Sequence, residues 1–288
     1  MTSAADLRDA VVARIAATGF TAHGLHVRVG DEVATHRWSP DRREEIHSVA
    51  KAVCVLAAGI AADEGLITLD DTVATLLPEA RLGEGVEPVT LRHLLSMTSG
   101  IDFPYSATMM ADWPDLAAEF LSRPSRGRVF QYSNASTYTA MHALAQRTGD
   151  VEEYLRPRLF APLGLPDREW RRCPNGRILA GEGLALRTDE MARLGLLIRD
   201  RGVWNGRRLV SAETVDAMHA AWTDTGGTGD GYRRHALAGW DGPGRAWRRD
   251  GAHGQLIVFA GDAVVTVTAD DHLGADALAA FVADHAAP

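Results

Sequence analysis

The stretch HSVAKAVCVLAAGIAADEG, residues 47–65, decides how the rest of the chain is read. From Val49 to Ala62 it is apolar except at Lys51, with no proline to break it and Gly65 placed to end a helix. A helix apolar all round belongs inside a protein, and this one is too short to span a bilayer. Lys51 is the one lysine in 288 residues; every other cationic side chain is arginine. On a helix, Ser48 and Lys51 stand at i and i+3 and share a face. Ser48 also sits among the free backbone N–H groups and positive dipole end of the helix start. Desolvation lowers the pKa of a lysine, so a buried Lys51 can be a neutral amine and therefore a base. Arginine stays protonated and cannot take that place. The plainer reading is that Ser48 only caps the helix. S-x-x-K also arises by chance about once per few hundred residues.

Outward from this helix, residues 24–38 (GLHVRVGDEVATHRW) alternate apolar and polar on both sides of Gly30-Asp31, the pattern of a β-hairpin. The N-terminal MTSAADLRDAVVARIAATG carries Asp6, Asp9 and Arg14 among its apolar residues and predicts an amphipathic helix, not a signal peptide. Downstream, ITLDDTVATLLPE predicts a turn, a cap at Asp70 or Asp71 and a brief helix. Residues 89–101 (VTLRHLLSMTSGI) predict a helix stopped at Gly100. Helices are expected at 112–122, 135–148 and 151–160, then two more with Thr188 and Ser211 as N-caps. RRHALAGW, RAWRRDG and QLIVFAGDAVVTVTAD read as strands, the last as a hairpin turning at Gly261-Asp262, before a closing helix. Strands at both ends with helices between them predict an α/β fold of the α+β type. One antiparallel sheet is built from both termini and flanked by helices, and an all-helical region is inserted in it. The expected division is 1–75 with 187–288 for the sheet and 76–186 for the helices, in one unit.

A net charge of −8 without a basic run argues against nucleic acid or an anionic membrane as partner. Cys54 and Cys173 lie far apart, so no disulfide framework is expected and a cytoplasmic protein is the default. The eleven histidines show no H-E-x-x-H or Cys/His ligand spacing, and neither a metal nor another cofactor is expected. A small molecule is the expected partner, with the oligomeric state open.

Two further stretches carry chemistry. In QYSNAS, Tyr132 can hold or relay a proton near a neutral lysine, and Asn134 offers a donor and an acceptor to a substrate carbonyl. Alternatively, Ser133 or Asn134 is simply an N-cap. In RRDGAHGQLIVF, glycines beside a strand permit close approach of a ligand or of another backbone. A backbone N–H there can join that of Ser48 to hold an oxyanion; a tight strand entry is the other reading.

Together these pieces resemble the serine hydrolases related to class C β-lactamases and penicillin-binding proteins. That family also includes esterases, D-amino-acid amidases and peptidases, nylon-oligomer hydrolases and acyltransferases. The resemblance runs over nearly the whole chain. HSVAKAV is similar to the family's S-x-x-K helix, VTLRHLLSMTSGI to its T-L-R-x-L-L-x-x-T-S-G segment, and YSN to its Y-x-N motif. GEGLALRTDEMARLG is similar to its G-G-L-x-S-T-x-x-D-L-A-R-F-G stretch. The resemblance implies a β-lactamase/transpeptidase-like fold, Ser48 as nucleophile, and Lys51 and Tyr132 as the proton-transfer groups.

One motif departs. Where the family often has K-T-G or H-T-G, this chain has Arg249-Asp250-Gly251, with Ala252 on the position whose N–H completes the oxyanion hole. GAHGQ then resembles the G-I-H-G-Q variant of nylon-oligomer hydrolases and related esterases. This puts recognition of a β-lactam or peptidoglycan carboxylate in question, although Arg249 supplies a charge. His253 touches substrate or makes a structural hydrogen bond. The short spacing from Gly100 to Tyr132 implies a trimmed helical region. Phe103, Tyr105, Trp113, Tyr138, Trp240 and Trp247 are candidates for the lining, although most aromatics in any protein are core. The implied activity is hydrolysis of a small carboxylic ester or amide through an acyl-enzyme. Acyl transfer is the alternative, ahead of a true β-lactamase or D,D-peptidase or a non-catalytic binding protein on this scaffold.

Overall fold

The near-continuous apolar run over 255–269 is what a sheet covered on both faces requires, since neither set of alternating side chains then meets water. The computed structural model describes residues 2–103, 113–165, 167–227, 232–271 and 273–286. Its N-terminal hairpin is β1 (Ala22–Val29) and β2 (Glu32–Arg37), turning at Gly30. A small second sheet is formed by β3 (Glu44–Glu45), β4 (Glu169–Trp170) and β5 (Leu184–Leu186), and a ribbon by β6 (Val203–Trp204) and β7 (Arg207–Arg208). The main sheet is completed by β8 (Thr223–Asp224), β9 (Arg234–His235), β10 (Trp240–Asp241), β11 (Trp247–Gly251), β12 (Gln255–Ala260) and β13 (Ala263–Ala269). Its order is β2-β1-β13-β12-β11-β10-β9-β8, antiparallel throughout. Val27 pairs with Val265 and Leu25 with Val267, so both ends of the chain do build one sheet.

The alternation on β12 and β13 divides the interior in two. Leu256, Val258, Val265 and Val267 pack under α1 (Ala4–Thr18) and α10 (Ala275–Ala286). Ile257, Phe259 and Val264 face the larger cluster that holds α2 (Ala50–Asp63) and α8 (Thr188–Arg199). Residues 50–61 of α2 are all buried, and each large aliphatic side chain so buried contributes roughly 1.5–3 kcal/mol. Gly59 lets α2 lie against α9 (Ala212–Ala217): a Cβ there would meet Thr214 Cγ2 at 2.3 Å. The larger cluster runs on without a break through the 76–186 helices. These are α4 (Leu91–Leu95), α5 (Leu116–Leu121), α6 (Asn134–Thr148) and α7 (Val151–Leu155), with the short α3 (Val73–Leu76) at the boundary.

Several local expectations change. The helix read over 89–101 shortens to α4, because Met97 and Gly100 take φ values of 63° and 65° and turn the chain away. Met97 and Ile101 stay buried, so the apolar spacing reflects packing after the helix has ended. The cap of α3 is Thr72, not Asp70 or Asp71; the Asp71 carboxylate instead accepts the Thr68 N–H. α5 starts after Pro114 with Asp115 as cap, and position 112 of the expected helix lies outside the described residues. Ser133 caps α6, which starts one residue early at Asn134. The helix expected over 151–160 is α7 followed by a π-helical turn, Arg156–Phe160, in which Pro157 has no N–H to donate. Thr188 is the first residue of α8, its hydroxyl engaged with Thr268, while the Glu190 carboxylate accepts the Arg187 N–H. Ser211 does cap α9. Cys54 and Cys173 are both free and buried. Among the described residues no helix is long and apolar enough to cross a membrane.

Candidate active site

Ser48 stands in a short 3₁₀ turn, His47–Val49, that runs directly into α2. His47 takes φ 48°, a left-handed value uncommon for a residue with a Cβ. One turn on, Lys51 is 1% exposed. Its Nζ lies 2.8 Å from Ser48 Oγ, 2.5 Å from Asn134 Oδ1 and 2.8 Å from the Gly181 carbonyl oxygen. Burial pulls this amine down to about 7; Glu182 opposes the shift and Arg249 adds to it. As an ammonium, Lys51 donates to all three neighbours. As a neutral amine it has two N–H bonds for the two oxygens that can only accept, Asn134 Oδ1 and Gly181 O. Its lone pair is then left for the Ser48 hydroxyl proton. Asn134 is fixed in this sense because its Nδ2 donates to Glu182 Oε2 at 3.0 Å.

The start of α6 brings Tyr132 and Asn134 to the same place, with the Ser133 hydroxyl accepting the Ala135 N–H between helix and loop. Lys51 Nζ lies 5.0 Å from the centre of the Tyr132 ring. Tyr132 in turn packs on Trp240, 5.6 Å between ring centres.

From the other side comes β11, whose alternation sends Arg249 and Asp250 opposite ways. Arg249 is 1% exposed, and burial pulls its guanidinium down to about 10. Its Nε and Nη1 find no hydrogen-bond partner among the described residues. Asp250 accepts from the Tyr232 hydroxyl at 2.5 Å and lies 3.5 Å from Arg248 Nη2. A Cβ on Gly251 would come 2.4 Å from the Ile46 carbonyl oxygen and 3.1 Å from Ser48 N. Glycine is therefore what allows β11 to lie against the Ser48 turn. Ala252 and His253 follow in a second short turn, with His253 at φ 61°.

Seven of the residues singled out in the sequence line one cavity of about 330 Å³: Ser48, Tyr132, Trp240, Asp250, Gly251, Ala252 and His253. Lys51, Asn134 and Arg249 lie behind its wall. For Asn134 and Arg249 this differs from the expected contact with substrate. Asn134 is 1% exposed with both amide ends engaged, and the Arg249 side chain is fully enclosed. Of the described aromatic candidates only Trp240 reaches the wall. Phe103 packs on Trp113 and Phe120, the Tyr138 hydroxyl meets Cys173 Sγ, and Trp247 stacks on Phe259 at 4.0 Å. Tyr105 lies outside the described residues. Sequence reasoning missed Tyr232, which carries no motif and no periodic signal. It also missed Gly181 and Glu182, although both belong to the GEGLALRT stretch that resembles a family motif. Among the described residues no group of three or more His, Cys, Asp or Glu side chains could hold a metal ion.

A family model described as Beta-lactamase matches residues 6–285. The chain is 31% identical over 153 residues to monacolin J acid methylbutanoyltransferase of Aspergillus terreus, a match over 43% of this chain and 37% of that protein. It is 28% identical over 217 residues to 6-aminohexanoate-dimer hydrolase of Paenarthrobacter ureafaciens, over 68% of this chain and 55% of that one. The matches thus span well under two thirds of either relative. Among solved structures, EstCE1, a hydrolase with promiscuous acyltransferase activity, has the same fold with a TM-score of 0.78. That likeness covers 99% of this chain and 98% of that one, at 16% identity.

Proposed function

The chain belongs to the β-lactamase family, and from that premise we propose that it is a serine-dependent acyl-enzyme hydrolase of a small carboxylic ester or amide. The observation that carries this reading is the buried amine of Lys51, near pKa 7, held 2.8 Å from Ser48 Oγ at the edge of a cavity. Ser48 Oγ attacks the carbonyl carbon and its proton passes to the neutral Lys51 Nζ or to the Tyr132 oxygen. The oxyanion so formed is held by the N–H groups of Ser48 and Ala252, each donor lowering the barrier by about 3 kcal/mol. Collapse breaks the bond to the alkoxide or amine, which takes the proton back as it leaves. Water then attacks the Ser48 ester, gives a proton to the same groups, and releases the acid as Ser48 Oγ is reprotonated.

The cavity wall carries Asp250 and, among the described residues, no arginine or lysine. This disfavours an anionic substrate, hence a β-lactam or peptidoglycan stem. Acyl transfer remains the second reading, favoured by the similarity to the methylbutanoyltransferase. Intact-mass measurement after exposure to a fluorophosphonate tests the nucleophile. One adduct is expected on the wild type and none on Ser48→Ala; an unmodified wild type, or equal labelling of both, overturns the reading. Small activated esters turned over in water alone favour hydrolysis. Turnover that appears only when amines or alcohols are supplied favours transfer.

A further inference from the structure

We propose that His47 and His253 form a stacked clamp that sets the spacing of the oxyanion hole. The inference rests on the reading of the Ser48 and Ala252 N–H groups as its two donors. His47 immediately precedes Ser48, and His253 immediately follows Ala252. Their rings lie face to face, 4.8 Å between centres and 19° from parallel. Both residues hold left-handed backbone, φ 48° and 61°, which a residue with a Cβ adopts only where its surroundings demand it.

Each ring also has a carboxylate beside it on its own side of the site. His253 Nδ1 lies 2.7 Å from Asp270 Oδ1, and the His253 carbonyl accepts the Asp271 N–H, so it is fixed to the end of β13. His47 Nδ1 lies 3.5 Å from Glu45 Oε1, and Glu45 accepts the Gly183 N–H at 2.8 Å. The stack therefore couples two segments from distant parts of the chain, each separately anchored, across the point where Gly251 allows closest approach. The donors must converge on one oxygen, and hydrogen bonds weaken steeply with misalignment. A contact that fixes the distance between their two segments acts on every step that develops the oxyanion. The rings are positioning residues in this role; they act through the N–H groups of their neighbours.

The test uses His→Ala and His→Phe at each position. Both replacements carry a Cβ and meet the same left-handed backbone, so each Ala/Phe pair differs by the ring alone. Circular dichroism confirms that each variant is folded. In the Ala variants kcat is expected to fall roughly 10- to 100-fold, in acylation and deacylation alike, with KM within about twofold. Affinity for phenylboronic acid, whose serine adduct places an oxygen in the hole, is expected to weaken in step. The Phe variants should return to within about threefold of wild type, since a planar ring restores the stack. Phe variants as impaired as Ala would overturn the clamp, because the stack of the two rings would then not be what sets the spacing. A change confined to KM makes His253 a substrate contact, and one confined to deacylation makes it a base for water; either sinks the proposal. Ala variants equal to wild type show that the stack is idle. A wild type with no phosphonate adduct on Ser48 refutes the hydrolase reading itself, and the clamp with it.

Discussion

At Lys51 the protein sets a protonation state by burial and then aims the lone pair by giving both N–H bonds fixed acceptors. In the proposed role of base Lys51 works when unprotonated, so kcat/KM should rise through an apparent pKa near 7 and fall away as the pH drops below it. A pH–rate profile of the wild type checks this; a flat profile from pH 5 to 9 would exclude Lys51 as the base. Lys51→Arg should lose at least about a thousandfold at every pH, since guanidinium cannot give up its proton. Asn134→Asp places a carboxylate where an amide oxygen now stands 2.5 Å from Nζ. An adjacent anion favours the ammonium, so the acidic limb should move up by about one unit or more. A limb that stays in place, measured on the same substrate, would show that Asn134 does not govern the base.

At the scale of elements, two glycines allow the close approaches on which the site depends. Gly251→Ala forces β11 away from the Ser48 turn because its Cβ would meet backbone atoms that cannot yield. A loss of activity of roughly 10-fold or more and about 1–3 kcal/mol of stability are expected from such overpacking. Steady-state kinetics and denaturant midpoints read the two effects. Gly59→Ala should also destabilise, although alanine is the better helix former, because Thr214 fills the space; a gain in stability would show that α9 can shift aside.

The same scale shows what could be read from sequence. The two-sided apolar strands, the buried α2 and the Ser48–Lys51 spacing each follow from local pattern, and all appear in the structure. The early end of α4 did not follow, because the apolar residues beyond it pack as a helix would while Met97 turns the backbone. Nor did the second support of Lys51 by the Gly181 carbonyl. A backbone oxygen has no side-chain identity to recognise, and its placement depends on a loop far away in sequence. Tyr232 and the enclosure of Arg249 depend likewise on tertiary packing, which decides on which side of a wall a side chain ends.

Across the whole molecule, the apolar cluster that joins α2 to the 76–186 helices argues that the two regions unfold together. Denaturation followed by far-ultraviolet dichroism and by tryptophan fluorescence should coincide; two separated transitions would mean that the helical region is an independent unit. Stability should also carry the mark of Lys51. Between pH 7 and about 10 the unfolded chain holds a proton that the folded chain has lost, so stability rises with pH across that window. Below it, burial of the ammonium costs on the order of several kcal/mol. Lys51→Met should remove this dependence, as read from urea midpoints at successive pH values.

The two buried thiols make the chain its own recorder of motion. Cys54 lies one turn beyond Lys51 on α2, fully enclosed, with burial pushing its thiol up to about 12; Cys173 lies against Tyr138 of the helical region. Neither meets a water-borne alkylating agent until its surroundings part. The two labelling rates under native conditions are therefore two stopwatches, one behind Ser48 and one in the helical region. Equal opening free energies would mean that the two places open in a single event. A faster Cys173 would mean that the helical region breathes while the ground beneath Ser48 stays closed.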